Sequence, residues 1–357
     1  MSEKVLMKGN EAVAEAAVIA GCRHYFGYPI TPQNEIAAYM SKRMPKIGGV
    51  FLQAESEIAA INMVIGSAAA GKRSMTSSSS PGIALKSEGL SYLAGCDLPA
   101  VLVNIQRGGP GLGGIQPSQA DYFLSTRSAG HGDFHMLVFA PNNIQEMFDF
   151  TYKAFDLSDK YRMTCMILSD GILGQMMEPV DISPKELISL PEKDWAVTGT
   201  QKKRKRNIVN SLFIQAEDLE EMNIKRYEKY QTIIKNEALY EEYLTEDADV
   251  LVVAYGAVSR IARNAVDAAR SQGIKVGLFR PITVWPFPKE ALYNLSQKTK
   301  CIISSEMSMG QMIEDVELAT KFSRPILSCT RTGGVVPMPE EIVAKIQEGA
   351  KTYVSNI

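Results

Sequence analysis

The chain lacks any pair of cysteines spaced to hold a metal. Its five, Cys22, Cys96, Cys165, Cys301 and Cys329, include no C-x-x-C pair, so neither a zinc site nor an iron–sulfur cluster can be read from them. They read instead as buried free thiols, which a reducing compartment keeps unpaired. Also missing is an apolar run of about 18 residues, the length that crosses a bilayer. The opening residues, Met1 to Leu6, carry no long apolar stretch of the kind a secretion signal needs. A cytoplasmic location, with no membrane partner, is the expectation. An excess of positive charge is absent too: 38 Lys and Arg face 40 Asp and Glu, for a net charge of -2, which argues against nucleic-acid binding. No tract is low in complexity and no unit repeats at a short fixed period, which excludes repeat architectures.

What is present is a chain of ordinary globular composition, 45% hydrophobic and 22% charged over 357 residues, long enough for two domains. In the first half, helix-like and strand-like segments alternate. Residues 10–20 (NEAVAEAAVIA) read as a helix with Asn10 as candidate cap, ended by Gly21. A short strand at 24–26 leads into a loop held extended by Pro29 and Pro32. A helix over 34–42, a strand over 50–52, and a long helix capped by Ser56 and stopped by Gly71 follow. Further on come a helix near 83–94, an apolar strand at 100–105, a helix over 144–157 and an apolar strand at 163–168. This alternation predicts an α/β fold, a parallel sheet covered by helices on both faces, with functional loops at the carboxyl ends of the strands. A first domain is therefore assigned to residues 1–180.

Residues 181–247 break the rhythm. Around them stand Pro179, Pro184 and Pro191, a basic run from Lys202 to Arg206, and an amphipathic helix over 216–244. The segment reads as an interdomain connection. Its basic run is most simply a solvated loop, and docking of an acidic partner is the alternative. A second α/β domain, 248–357, shows strands at 250–254, 275–279, 301–304 and 326–328, with a helix at 259–271.

Three segments of the first half carry candidate chemistry. Gly109, Gly111 and Gly114 form G-x-G-x-x-G after a strand, as a dinucleotide fingerprint should. Pro117 keeps the continuation from opening a helix, so the nicotinamide reading is weak. The same loop presents one cation, Arg107, which can grip a carboxylate through two parallel hydrogen bonds; a surface arginine on a tight turn is the plain alternative. Gly27 to Gln33 is a strand-end loop stiffened by two prolines, so Thr31 is either an oriented donor or part of a simple turn. Gln53-Ala-Glu-Ser-Glu57 opens a helix, where Glu55 and Glu57 would favour the helix dipole in any case. The rest of that helix is rich in Ala, Gly and Ser and permits very close packing. An acid at its mouth suits a buried subunit or cofactor interface.

Together, Tyr28-Pro-Ile-Thr-Pro32, the stretch from Gln53 to Gly71 and Arg107-Gly-Gly-Pro-Gly111 resemble the α subunit of 2-oxoacid:ferredoxin oxidoreductases. Val252 to Arg260, Arg280 to Pro288 and Ser305 to Gln311 extend the resemblance over nearly the whole chain. It implies a thiamine-diphosphate-binding fold, with a pyrimidine-binding domain followed by a transketolase C-terminal-like domain. It implies a subunit, inactive alone, of an enzyme that oxidatively decarboxylates a 2-oxoacid with coenzyme A to acyl-CoA, carbon dioxide and reduced ferredoxin. The thiamine diphosphate would be shared with a β subunit carrying the diphosphate and Mg2+ motif, which begins Gly-Asp-Gly and does not occur here. Iron–sulfur clusters would reside on a ferredoxin-like partner subunit. Carried over by position, Glu57 is the glutamate that hydrogen-bonds the aminopyrimidine ring, with Glu55 as runner-up, and no residue is a metal ligand. Pro29 and Ile30 line the cofactor, and Arg107 holds the substrate carboxylate with Thr31 assisting. Glu57 is then expected in an apolar contact region. The resemblance is greatest to branched-chain enzymes acting on 3-methyl-2-oxobutanoate, with 2-oxoglutarate the main competitor. A nicotinamide-dependent dehydrogenase and a non-catalytic scaffold are the rivals from other classes.

Overall fold

The computed structural model describes residues 4–127, 129–183 and 192–354; Pro184 and Pro191 lie outside the described residues. Strand β1 (Lys4–Lys8) leads into α1 (Gly9–Ile19), β2 (His24–Gly27), α2 (Asn34–Arg43), β3 (Val50–Gln53), α3 (Glu57–Ala69) and β4 (Ser74–Ser78). Next come α4 (Ser80–Leu85), α5 (Ser87–Gly95), β5 (Ala100–Gln106), α6 (Tyr122–Thr126), β6 (Leu137–Phe139), α7 (Ile144–Tyr161), β7 (Thr164–Asp170), α8 (Gly171–Gln175) and β8 (Met177–Asp181). The remainder is α9 (Ala216–Glu237), β9 (Tyr240–Tyr243), β10 (Val250–Val253), α10 (Gly256–Ser271), β11 (Val276–Pro281) and β12 (Thr283–Trp285). It closes with α11 (Lys289–Ser296), β13 (Cys301–Glu306), α12 (Met312–Thr320), β14 (Ile326–Thr330) and α13 (Pro339–Gly349).

Two sheets carry the fold. The first has seven strands in the order β12-β6-β7-β5-β4-β2-β3, and the second five, β14-β13-β10-β11-β9. In both, neighbours run parallel except for one edge strand: β12 on β6 and β9 on β11. β5 and β7 lie at the centre and every residue of both is buried, as a parallel sheet covered on both faces demands. Their runs, AVLVNIQ and TCMILSD, are apolar in the middle for that reason. In the second sheet Val250, Leu251, Val252 and Val253 are wholly buried; each contributes roughly 1.5–3 kcal/mol of burial before chain entropy is set against it.

The two sheets are clasped by polar side chains. Gln119 accepts from the Met307 backbone N–H (2.9 Å) and donates to the Tyr255 carbonyl (2.9 Å). Gln311 donates to the Ala120 carbonyl (2.7 Å) and accepts from the Phe123 N–H (2.8 Å). Arg280, 2% exposed, reaches Glu146 on α7 (2.9 Å) and Glu241 on β9 (3.0 Å). Glu306 takes the free N–H groups of Gln311, Met312 and Ile313 at the start of α12, which any helix leaves open. The motifs around Arg280 and Glu306 are thus architectural.

Several elements differ from the sequence expectation. Asn10 does not cap α1. Lys8 occupies that position, and the Asn10 amide donates instead to the Pro32 carbonyl (2.8 Å) and Glu35 (2.9 Å). The helix expected over 83–94 is two helices, interrupted at Lys86. The helix expected to run to Leu244 ends at Glu237, and β9 then joins the second sheet, because Tyr240 to Tyr243 alternate exposed and half-buried. β4, β6 and β12 were not foreseen.

Candidate functional site

The three segments singled out in the first half converge at one edge of the seven-stranded sheet. The loop after β2 carries Tyr28 to Gln33, the loop after β3 leads to Glu57, β4 ends at Ser78, and Arg107 follows β5 directly. These four strands are consecutive in the sheet, in the order β5-β4-β2-β3, and parallel, so their carboxyl ends open on one side, where such sheets bind ligands.

Glu57 begins α3. Ser56 is the N-cap, its Oγ accepting from the Ala59 N–H at 3.1 Å, and Glu57 is 6% exposed, whereas Glu55 lies in solvent. The Glu57 side chain packs over α4. Its carboxylate lies over Gly82 on α4: a Cβ built on Gly82 would stand 2.6 Å from Glu57 Oε1 and 2.1 Å from Ser78 Oγ. Among the described residues no group donates a hydrogen bond to this carboxylate. Ser78 Oγ and the Nζ of fully buried Lys86 also have no hydrogen-bond partner there. Buried polar groups are normally satisfied, so these two open atoms stand out.

Arg107 is 7% exposed. Its Nη1 donates to the Thr31 carbonyl (3.0 Å) and Nη2 to the Leu112 carbonyl (3.3 Å), while Nε has no partner. The structure therefore brings Arg107 and Thr31 together, through the threonine backbone. The Thr31 hydroxyl accepts from Asn34 Nδ2 at 3.3 Å; Pro29 is exposed and Ile30 half-buried. The glycine loop beyond Arg107 is exposed, with no helix before Tyr122, and Arg107 bridges back to Pro117. A dinucleotide fingerprint needs a helix there.

Sequence reasoning missed the residues that hold this edge in place. Ser80 Oγ donates to Asp121 (2.6 Å) and accepts from the Arg107 N–H (3.0 Å). Asn104 Nδ2 also donates to Asp121 (2.9 Å), and burial raises the Asp121 pKa above the ordinary value. Gln33 donates to the Tyr28 carbonyl (3.2 Å) and accepts from Ser77 Oγ (2.6 Å), pinning the Pro29–Pro32 loop to β4. The only sequence signal was the serine tract of residues 77–80, which reads as a loop. A cavity of about 890 Å³ lies elsewhere, between α9 and the β12–α11 turn, and none of Glu57, Arg107 or Thr31 lines it. Among the described residues no cluster of three His, Cys, Asp or Glu side chains could hold a metal ion, and no helix is long and apolar enough to cross a membrane.

A family model described as pyruvate flavodoxin/ferredoxin oxidoreductase, thiamine diphosphate-binding, matches residues 15–243. A second, pyruvate:ferredoxin oxidoreductase core domain II, matches residues 248–342. The chain belongs to the 2-oxoacid:ferredoxin oxidoreductase family. Within that family it is 50% identical over 343 residues to ketoisovalerate oxidoreductase subunit VorB of Methanothermobacter marburgensis, covering 96% of this chain and 97% of the relative. To 2-oxoglutarate synthase subunit KorA of the same organism it is 33% identical over 375 residues, covering 97% and 99%. Among solved structures it superposes with a TM-score of 0.88, at 28% identity, on 2-oxoglutarate:ferredoxin oxidoreductase from Magnetococcus marinus with 2-oxoglutarate, coenzyme A and succinyl-CoA bound. That match covers 98% of this chain and 65% of the other, so the chain spans about two thirds of its length. A split-gene transketolase, 14% identical, shares the fold at a TM-score of 0.62.

The residues of this oxidoreductase chain fit a thiamine cofactor. The pyrimidine ring of thiamine needs a carboxyl group free to bond a ring nitrogen. The donor-free Glu57 carboxylate at the strand-end edge is such a group.

Proposed function

We propose that this chain is the α subunit of a multi-subunit enzyme that oxidatively decarboxylates 3-methyl-2-oxobutanoate with coenzyme A and ferredoxin. Glu57 would meet the aminopyrimidine ring, with Pro29 and Ile30 beside it, and Arg107 and Thr31 would receive the substrate carboxylate. The observation that carries this reading is the convergence, on one sheet edge, of a buried donor-free carboxylate and a guanidinium with an open Nε. The partner subunits would bring the diphosphate and Mg2+ site and the iron–sulfur clusters. Exposed apolar side chains stand on α3 and α4, Ile58 at 51% and Leu85 at 52%, and such surface supports a docked neighbour. The cytoplasm, where five free cysteines stay reduced, is the proposed location.

When bound, thiamine diphosphate supplies the carbon nucleophile and electron sink that decarboxylation of a 2-oxoacid requires. The chain's own residues orient and tune. Glu57 sits at the first position of α3 with its backbone fixed by the Ser56 cap, so its carboxyl can exchange a proton with the pyrimidine nitrogen from a set position. The Arg107 guanidinium is anchored by two carbonyls before substrate arrives, which preorganises it for a carboxylate. The loop beyond it carries two exposed apolar side chains, Leu112 (85%) and Ile115 (58%). These suit a branched apolar substrate better than 2-oxoglutarate, whose second carboxylate wants a second cation.

The test is reconstitution with the partner subunits and comparison of 2-oxoacids for coenzyme-A-dependent reduction of a viologen dye. The expected order puts 3-methyl-2-oxobutanoate first, and Glu57→Gln abolishes turnover while the complex still assembles. A preference for 2-oxoglutarate would overturn the substrate assignment, and near-normal turnover of Glu57→Gln would overturn the role of Glu57.

A further inference from the structure

The cavity of about 890 Å³ between α9 and the β12–α11 turn takes no part in the proposed reaction. Its volume suits a small-molecule ligand, whose pockets run to about 300–1,000 Å³. Two kinds of wall meet in it. One is aromatic: Tyr227, Tyr230, Tyr240, Trp285 and Phe287 line it. His135 stacks on Trp285, ring centroids 4.5 Å apart, and Tyr230 stands edge-on to both, which fixes these rings in place. Tyr227 and Tyr240 present free surface, 64% and 43% exposed. Trp285 is buried, yet its indole N–H donates to no other group among the described residues, whereas a buried indole normally finds an acceptor.

The other wall is cationic. Helix α11 begins at the cavity, where Pro288 to Ala291 line it, and no side chain caps that end. The Lys289 N–H donates to the Phe287 carbonyl (2.8 Å) and the Leu292 N–H to the Pro288 carbonyl (3.2 Å). Among the described residues the N–H groups of Glu290 and Ala291 have no acceptor. Open N–H groups at a helix start favour an anion. Lys289 and Lys235 line the same cavity, from α11 and α9, and neither has an ion-pair partner among the described residues. The third cation, Arg127, is already bonded to Asp315 (3.0 Å). Glu290 is the remaining acid of the lining and is exposed, so the unpaired charge at the cavity is on balance positive.

Each wall excludes what the other alone would accept. A bare anion would leave the aromatic side chains facing water. A neutral ring would leave the two lysines and the helix start unmatched. A cation, which aromatic cages otherwise hold, would meet like charge. We propose that this cavity binds a nucleoside phosphate, with the base among the aromatic side chains and the phosphate at the start of α11 with Lys289 and Lys235. The Trp285 N–H is the donor available to the base. None of Glu57, Arg107 or Thr31 lines the cavity, so this is a second site, apart from the strand-end edge. Its ligand would bridge α9, in the connection between the two sheets, to the β12–α11 turn.

The test uses the assembled complex with thiamine diphosphate bound. AMP, adenosine and ribose 5-phosphate are each titrated by calorimetry into wild type, Lys235→Met, Lys289→Met and the double variant, and kcat and the KM for coenzyme A are measured alongside. AMP should bind wild type. Each single variant should weaken it about threefold, since exposed ion pairs are modest, and the double variant about tenfold. Adenosine and ribose 5-phosphate should each bind at least about tenfold more weakly than AMP, because each forgoes one wall and base stacking on aromatic side chains is worth about that factor. The kcat and the KM for coenzyme A should stay at wild-type values in every variant. Failure of AMP to bind, or binding indifferent to loss of both lysines, would overturn the inference. Ribose 5-phosphate as tight as AMP would reduce the cavity to a plain anion site and overturn the nucleoside assignment. A KM for coenzyme A that rises in step with the loss of AMP would make the cavity part of the reaction's own site and overturn its separateness. None of these variants alters Glu57 or Arg107, so the outcome is independent of the roles proposed for them.

Discussion

Replacing Gly82 with alanine tests the packing around Glu57 with a single methyl group. The new Cβ would lie 2.6 Å from Glu57 Oε1 and 2.1 Å from Ser78 Oγ, against an ordinary contact of 3.4 Å or more. Ser78 can relieve its clash by rotating its short side chain. Glu57 must retreat by about 0.8 Å, the difference between the two contact distances. In an exposed helix, Gly to Ala stabilises by about 0.5–1 kcal/mol, while overpacking a buried site costs about 1–3 kcal/mol. The net loss of stability should therefore stay below roughly 2 kcal/mol, and the complex should still assemble. Catalysis has no such tolerance, since a 1 Å misplacement of a catalytic group costs about 100-fold. Gly82→Ala should thus lower kcat in the viologen assay by about 100-fold while shifting the melting temperature by only a few degrees. Turnover within threefold of wild type would refute the claim that Glu57 acts from its place over Gly82.

Arg107→Ala should chiefly raise the KM for the 2-oxoacid, and Arg107→Lys, which cannot form the two-pronged contact, should recover little of it; an unchanged KM removes Arg107 from the substrate site. Arg280→Met leaves Glu146 without its buried partner and should cost roughly 3 kcal/mol of stability in urea denaturation, because Arg280 ties β11 to α7 and β9; a loss under about 1 kcal/mol would contradict the clasp. Burial pushes the Asp170 carboxyl up to about 6 from its ordinary 3.8, despite its backbone N–H partners. The folded chain therefore binds that proton more tightly than the unfolded chain, and the resulting stability is full below about pH 4 and lost as the pH rises to about 6. Asp170→Asn cannot ionise, so its melting temperature should gain on wild type across that window; a constant difference would show that Asp170 does not titrate there.

The parts of the fold written in strong apolar periodicity were legible. The alternation around β5, β7, β10 and β13 gave the parallel sheets, and Ser56 was read as the cap that the structure shows. β4 was not legible, because SMTSS is buried in all five positions without being apolar; sheet neighbours on both sides bury it, and no local pattern reports them. β12 is three residues long and pairs antiparallel with a strand nearly 150 positions earlier, a contact no window of sequence can reveal. Asn10 was misread for a related reason: its amide bonds Pro32 and Glu35, distant in the chain.

For the site, the sequence identified the segments but not their supports. Glu57, Arg107 and Thr31 stood out by resemblance and composition. Lys86 did not, since a lysine in a helical stretch reads as a solvated residue until the packing of α3 against α4 and α5 encloses it. Asp121 and Ser80 are 41 positions apart and meet only in the fold.

The most direct measurement is an experimental density map of the assembled complex with thiamine diphosphate bound. The expected result is a Glu57 carboxyl oxygen within about 2.6–3.2 Å of the aminopyrimidine ring, with the phosphates gripped by a neighbouring subunit. Finding Glu57 remote from that ring, or the entire cofactor enclosed by this one polypeptide, would contradict the account.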